Sequence, residues 1–250
     1  MDPAAALETT LVFLITSILL YMVQRALHRH LQIALHRLTG HPDAAVMLYW
    51  ALLFPGVFLH ELSHWLAAML LGVRRYRFAM WPQRSGGQIR LGAVQLAEAD
   101  PFRMSLIGAA PLGAGLMVIA LVGSRWPDAP ASGIALWGTA WQVLQSLPQR
   151  EWGWVGFYLI FTVGNAMWPS PSDRAAWPAI GVAGGLLALL FLLAGPISLH
   201  QALMALAMES LARLIPLLTA VLLVNLPILA GLIGLNVLLP MTRGKPDAVR

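Results

Sequence analysis

Six stretches of this 250-residue chain run for about 20 residues with almost no charged side chain, the length an α-helix needs to cross a hydrocarbon layer. They are Leu7–Val23, Ala44–Gly72, Phe102–Gly123, Trp152–Trp168, Ala175–Ala194 and Leu211–Leu239. Between them there is little to make a water-soluble surface. Charged residues are 11% of the chain against about 25% in soluble domains, and hydrophobic residues are 58%. The expected fold is an all-α integral membrane protein with about six transmembrane helices, forming one domain over residues 1–250. The first block has Asp2 and Glu8 at its start and no basic leader, so it reads as a retained span and not a signal peptide. Pro216 and Pro227 mark the last block as one that can kink or split.

The net charge of +5 does not point to nucleic acid. There is one lysine, Lys245, and the arginines lie mostly between apolar blocks, as membrane-flanking anchors do. With no cysteine, disulfides and thiolate metal sites are excluded. If the N-terminus is cytosolic, six spans put Arg74, Arg75, Arg77, Arg84, Arg90, Arg103, Arg174, Arg243, Lys245 and Arg250 on the same side, ten of the sixteen Lys and Arg. The positive-inside bias then favours both termini in the cytosol. Trp126, Trp152 and Trp154 on one side and Trp81, Trp168 and Trp177 on the other read as interfacial belts.

Two connections carry a pattern. Arg74–Ala97 holds alternating stretches on either side of Ser85-Gly86-Gly87, the signature of a β-hairpin, here membrane-associated and between spans two and three. In 131–148, Ile134, Trp137, Trp141 and Leu144 recur at helical spacing, which suits a helix lying in the interface. Gly181, Gly184 and Gly185 suit close helix packing.

The chemistry sits in the second span, at His60-Glu61-Leu62-Ser63-His64. Residues four apart share a helix face, so both imidazoles can reach one ion. The glutamate between them is placed to take a proton from a metal-activated water and deliver it to a leaving amine. With seven His and five Glu in the chain, chance yields about 0.004 occurrences of this pattern. Such groups inside an apolar span are costly and mark function by default. Two histidines need a third ligand. The fourth span runs into Asn165-Ala166-Met167-Trp168-Pro169-Ser170-Pro171-Ser172-Asp173, where two prolines stop the helix ahead of an isolated carboxylate. Asp173 is either that ligand or an interface anchor paired with Arg174. His28, His30, His36 and His41 crowd the first connection and read as solvated interfacial histidines, with a second metal site as the alternative. Glu209 and Arg213 are spaced as an i,i+4 ion pair.

These motifs together resemble the site-2 protease family of intramembrane zinc metalloproteases. The family carries His-Glu-x-x-His in one span, an Ala-Gly-Pro-type segment in the next, and Asn-x-x-Pro followed by Leu-Asp-Gly in a third. Phe58-Leu59-His60-Glu61-Leu62-Ser63-His64 matches the first, Gly108-Ala109-Ala110-Pro111-Leu112 resembles the second, and Asn165 to Asp173 fits the spacing of the third. Ala110 and Ala114 replace a glycine and an asparagine, the prolines stand one position later, and Ser172 and Arg174 replace the flanking leucine and glycine. The resemblance covers residues 44–175, with helices 1–43 and 175–250 peripheral. It implies Zn2+ held by His60, His64 and Asp173, Glu61 as general acid/base, and Asn165 as a hydrogen-bond partner of the substrate backbone. It also implies that the hairpin holds an unfolded substrate segment. The expected activity is therefore zinc endopeptidase cleavage in or near a transmembrane segment of a membrane-protein substrate. The expected location is a multi-pass place in a prokaryotic inner membrane. Two other classes compete. A catalytically inactive relative, a membrane scaffold, would lose Glu61 before the ligands. A metal transporter would need polar residues along several spans, and spans three and five offer almost none.

Overall fold

A computed structural model describes residues 3–85, 88–123, 135–194 and 196–239. Seven α-helices dominate: α1 (Pro3–Thr39), α2 (Pro42–Leu70), α3 (Pro101–Val122), α4 (Ala135–Ser146), α5 (Gly153–Ala166), α6 (Trp177–Ala194) and α7 (Ile197–Leu238). Four of them, α1, α2, α3 and α7, are long and apolar enough to cross a membrane. At 14 residues α5 spans only about 21 Å, short of the roughly 30 Å hydrocarbon thickness. Six full spans are thus not seen among the described residues. Local chemistry sets the helix ends. Asp100 accepts a hydrogen bond from the Arg103 backbone N–H at 3.0 Å ahead of Pro101, an N-cap followed by a proline whose missing N–H costs nothing there. After α2, Gly72 takes φ +69° and lets the Val73 N–H reach back to the Ala68 carbonyl at 2.8 Å.

Three helices enclose the centre of the molecule. α5 runs alongside α2 in the same direction: the Tyr158 hydroxyl donates to the Leu52 carbonyl at 3.0 Å, and an added Cβ on Gly56 would stand 2.1 Å from the Thr162 carbonyl oxygen. Only glycine permits that backbone approach. α3 runs the opposite way, with Gly115 against Met167 and Val122 against Gly156. Around them α1 and α7 pack side by side, and Leu20, Leu218, Val221 and Leu222 join Ile119, Ile160 and Met167 in the largest buried cluster. Helices α1 and α7 thus pack on this core through that cluster, and α6 is largely exposed. Gly181, Gly184 and Gly185 on α6 meet nothing that a Cβ would touch, so the close packing expected of them is not formed.

α7 stays one helix of 42 residues through both prolines, about 63 Å long. It runs in the same direction as α1. The Gln24 amide reaches the Gly164 carbonyl beside Asn165, which pairs with Asn225, while Arg37 farther along α1 donates to the carbonyls of Asn236 and Leu239 farther along α7. This places Pro3 and Leu238 at opposite ends of the pair. Reporter domains fused to the two chain ends are expected to fall on opposite sides of the membrane. Same-side reporters would show that α1 and α7 do not pair this way in the bilayer.

The hairpin forms, and its ladder explains its reach. β1 (Arg75–Ala79) pairs antiparallel with β4 (Ala93–Leu96), and β2 (Gln83–Ser85) with β3 (Gln88–Arg90). The turn at Gly86-Gly87 lies outside the described residues. The hairpin does not stay at the end where α2 stops. Arg75 sits 4.4 Å over the Trp65 ring, and the Trp50 indole donates to the Met80 carbonyl at 2.8 Å while its ring stacks on Trp81. Trp50 precedes Trp65 by fifteen residues, about 22 Å of helix. The strands run back along α2, past its middle. Trp81 consequently lies near the start of α2, away from Trp168 with which it was grouped; Trp126 lies outside the described residues.

Helix α4 packs one face against the bundle and leaves the other exposed. Its buried stripe is Leu136, Thr139, Ala140, Val143 and Leu144, Leu136 clusters with Val12 and Ile215, and the Trp137 indole donates to Thr16 Oγ1 at 2.9 Å. Residues 131–134 of the expected helix lie outside the described residues. The Glu209–Arg213 pair forms as its spacing predicts.

Candidate metal centre

Two elements deliver three candidate ligand atoms to one point. His60 and His64 stand one turn apart on α2, and Asp173 arrives from the turn that follows α5. His60 Nε2 and His64 Nε2 are 3.2 Å apart, His64 Nε2 and Asp173 Oδ1 3.2 Å, and His60 Nε2 and Asp173 Oδ2 3.6 Å. Ligand atoms about 2.05 Å from a tetrahedral ion stand about 3.3 Å from one another. The spacing is that of three corners of a tetrahedral site.

The outer nitrogens decide what the inner ones can do. His60 Nδ1 lies 2.7 Å from the Ala166 carbonyl and His64 Nδ1 2.9 Å from the Ile107 carbonyl. A carbonyl only accepts, so each Nδ1 carries the proton and each Nε2 presents a lone pair. Two such lone pairs and a carboxylate converge, and none of the three brings a proton of its own. A cation placed among them satisfies all three at once. The carbonyl contacts are also the outer partners that fix the tautomer and orientation of metal-binding imidazoles. Among the described residues this is the one group of His, Asp and Glu side chains close enough to hold a metal ion.

Asp173 is held by the turn that the prolines create. The Ser170 N–H donates to Asp173 Oδ2 at 2.6 Å, and the Asp173 N–H donates to Ser170 Oγ at 3.3 Å. Burial pushes its carboxyl up, while the Ser170 N–H bonded to Oδ2 favours the ionised form. The turn comes close because of Gly108 on α3, where an added Cβ would lie 2.0 Å from the Asp173 carbonyl oxygen. Gly108 in the Gly108–Leu112 segment thus has a structural meaning: it admits the turn that carries Asp173. No protein-family model, curated protein or solved structure matches this chain.

The other expected residues divide. Glu61 lies under the hairpin: an added Cβ on Gly92 would stand 2.7 Å from Glu61 Cγ and 3.0 Å from Oε1. Asn165, expected to face substrate, is instead turned into the bundle. It is 7% exposed, and its amide donates to the Phe161 carbonyl at 2.7 Å and to Asn225 Oδ1 at 2.8 Å, with Asn225 donating back at 3.2 Å. Its hydrogen-bonding capacity goes to holding α5 against α7. The histidine group of the first connection is not in a connection. α1 runs unbroken to Thr39, so His28, His30 and His36 are helical, and only His41 lies beyond. His28 Nδ1 meets the Tyr49 hydroxyl at 2.7 Å, and the Asn236 amide donates to the His30 carbonyl at 2.9 Å. No metal group forms there among the described residues. Asn225, Gly92 and the Ile107 carbonyl were missed by sequence reasoning. Only Asn225 left a signal, as an amide in the middle of an apolar block.

Proposed function

We propose that this chain is a zinc endopeptidase that hydrolyses a peptide bond in or beside a transmembrane segment of another membrane protein. The observation that carries the proposal is the convergence of two Nε2 lone pairs and one carboxylate, at tetrahedral spacing, with a glutamate next in sequence to the first ligand. His60, His64 and Asp173 supply three protein ligands and leave one position open, the arrangement of catalytic rather than structural zinc sites. Bound there, zinc would acidify a water and polarise the scissile carbonyl. Glu61 accepts the proton as the water oxygen adds to the carbonyl carbon, and returns it to the amide nitrogen as the C–N bond breaks. One water is consumed and no other co-reactant is needed. Glu61 is intact, which favours an enzyme over a scaffold. The ligand atoms face one enclosed point and not a polar path, which favours it over a transporter.

Placement fits the same reading. We take α5 as a fifth crossing despite its length, because it lies in register with α2 inside the bundle and needs no lipid contact along its whole length. α6 then lies against lipid with its exposed Val182, Leu186, Leu187 and Leu190. The proposal is tested by incubating the purified protein in lipid discs with transmembrane peptides and reading new termini by mass spectrometry. Fragments cut within the apolar segment, lost on chelation and restored by zinc, support it.

The hairpin over Glu61 gives a more specific expectation. Gly92→Val places methyl groups where the Glu61 side chain lies, and misplacing a catalytic group by about 1 Å can cost 10²-fold. Turnover is expected to fall by about that factor with zinc content unchanged. Wild-type turnover in Gly92→Val would separate the hairpin from the chemistry.

A further inference from the structure

The end of α5 leaves carbonyls without helical partners. Asn165 and Ala166 would bond the N–H groups of residues 169 and 170 if the helix continued. Pro169 has none, and the Ser170 N–H is given to Asp173 Oδ2 at 2.6 Å. A buried carbonyl left unpaired is destabilising, so donors must come from elsewhere. Side chains of other helices supply them. Gln24, 5% exposed on α1, donates to the Gly164 carbonyl at 2.8 Å. The His28 ring, also on α1, hydrogen-bonds the Asn165 backbone. His60 takes the Ala166 carbonyl through Nδ1 at 2.7 Å. Tyr49 completes the set: its hydroxyl is 2.7 Å from His28 Nδ1, and donation to that nitrogen leaves Nε2 protonated for the carbonyl.

Two donors on α1 and one metal ligand therefore hold three consecutive carbonyls. We propose that Gln24 and His28 are positioning residues for the metal centre, acting through the end of α5. They fix the backbone whose Ala166 carbonyl orients His60, and from the same backbone the turn over 167–173 delivers Asp173. A helix outside the two recognisable ligand motifs thus sets the geometry of both. This rests on the reading of His60, His64 and Asp173 as a metal site, and does not require that the metal hydrolyse anything.

The test uses the full chain in lipid discs, loaded with Co2+ as a spectroscopic substitute for zinc. Gln24→Leu and His28→Phe remove the donors at similar volume, and His28→Gln keeps one. Loss of such outer partners typically weakens metal affinity 10–100-fold. Each donor-free variant is expected to raise the cobalt dissociation constant by about that factor and to shift its visible ligand-field bands, and His28→Gln is expected to recover most of both. Asn236→Ala is the control, farther along α7 and bonded to none of the three carbonyls, where it removes the bond to the His30 carbonyl. It is expected to lower thermal stability with the cobalt spectrum unchanged. Cobalt affinity within twofold of wild type and an unchanged spectrum in both donor-free variants would overturn the inference. So would His28→Gln behaving like His28→Phe. A wild-type protein that takes up no cobalt would overturn this and the metal reading together, whereas normal uptake by all variants overturns this one alone.

Discussion

Glu61→Gln is expected to purify with its zinc in place and to lose hydrolysis of a transmembrane peptide by about 10³-fold. General acid/base groups contribute about 10²–10⁴-fold, and Gln can neither take nor return the proton. The substitution is nearly isosteric, so the carboxamide fits under Gly92 without displacing the hairpin. Glu61 is not among the three atoms that converge, so metal content should not change. Elemental analysis beside turnover separates the two effects. Undiminished turnover in Glu61→Gln would remove the protease mechanism, and lost zinc would make Glu61 a ligand.

Asp173 should behave in the opposite way, losing metal and activity together. Structural zinc sites are worth about 10–16 kcal/mol over four ligands, so removing one costs about 3 kcal/mol, or about 10²-fold in affinity. Alanine also leaves the Ser170 N–H without its acceptor. Asp173→Asn answers that objection, because an amide oxygen can still accept from Ser170 while the anionic ligand is gone. Both variants are expected to lose zinc on dialysis against a chelator that wild type withstands. Glu98→Ala and Asp100→Ala should keep it; Asp100 caps α3, so its loss costs about 1 kcal/mol of stability and no metal. Full zinc occupancy in Asp173→Asn and Asp173→Ala would leave the third ligand unassigned.

Local rules carried a long way in this sequence. Two stretches with period two on either side of Gly86-Gly87 gave the hairpin, His60 and His64 share a face because helices repeat every 3.6 residues, and the Pro169 and Pro171 pair announced the turn that holds Asp173. Long-range facts left no such trace. Whether a span crosses up or down depends on which helix it packs against, so counting apolar blocks could not reveal that α1 and α7 run in the same direction. The apolar pattern of α1 ends near Val23, yet the helix continues to Thr39 because Leu27, Leu31 and Leu35 keep a buried stripe between its arginines. Read as a connection, that stretch made His28 look solvated. Asn165 shows the complementary case: the resemblance gave its residue type and position but not the Asn225 amide waiting 60 residues later.

The central claim is that His60, His64 and Asp173 bind zinc with one position open, and X-ray absorption on the purified chain addresses it directly. One zinc per chain is expected, with four nitrogen or oxygen neighbours at about 2.0–2.1 Å and the outer-shell scattering of two imidazoles. No tightly bound zinc, a sulfur neighbour from methionine, or a shell without two imidazoles would contradict the account.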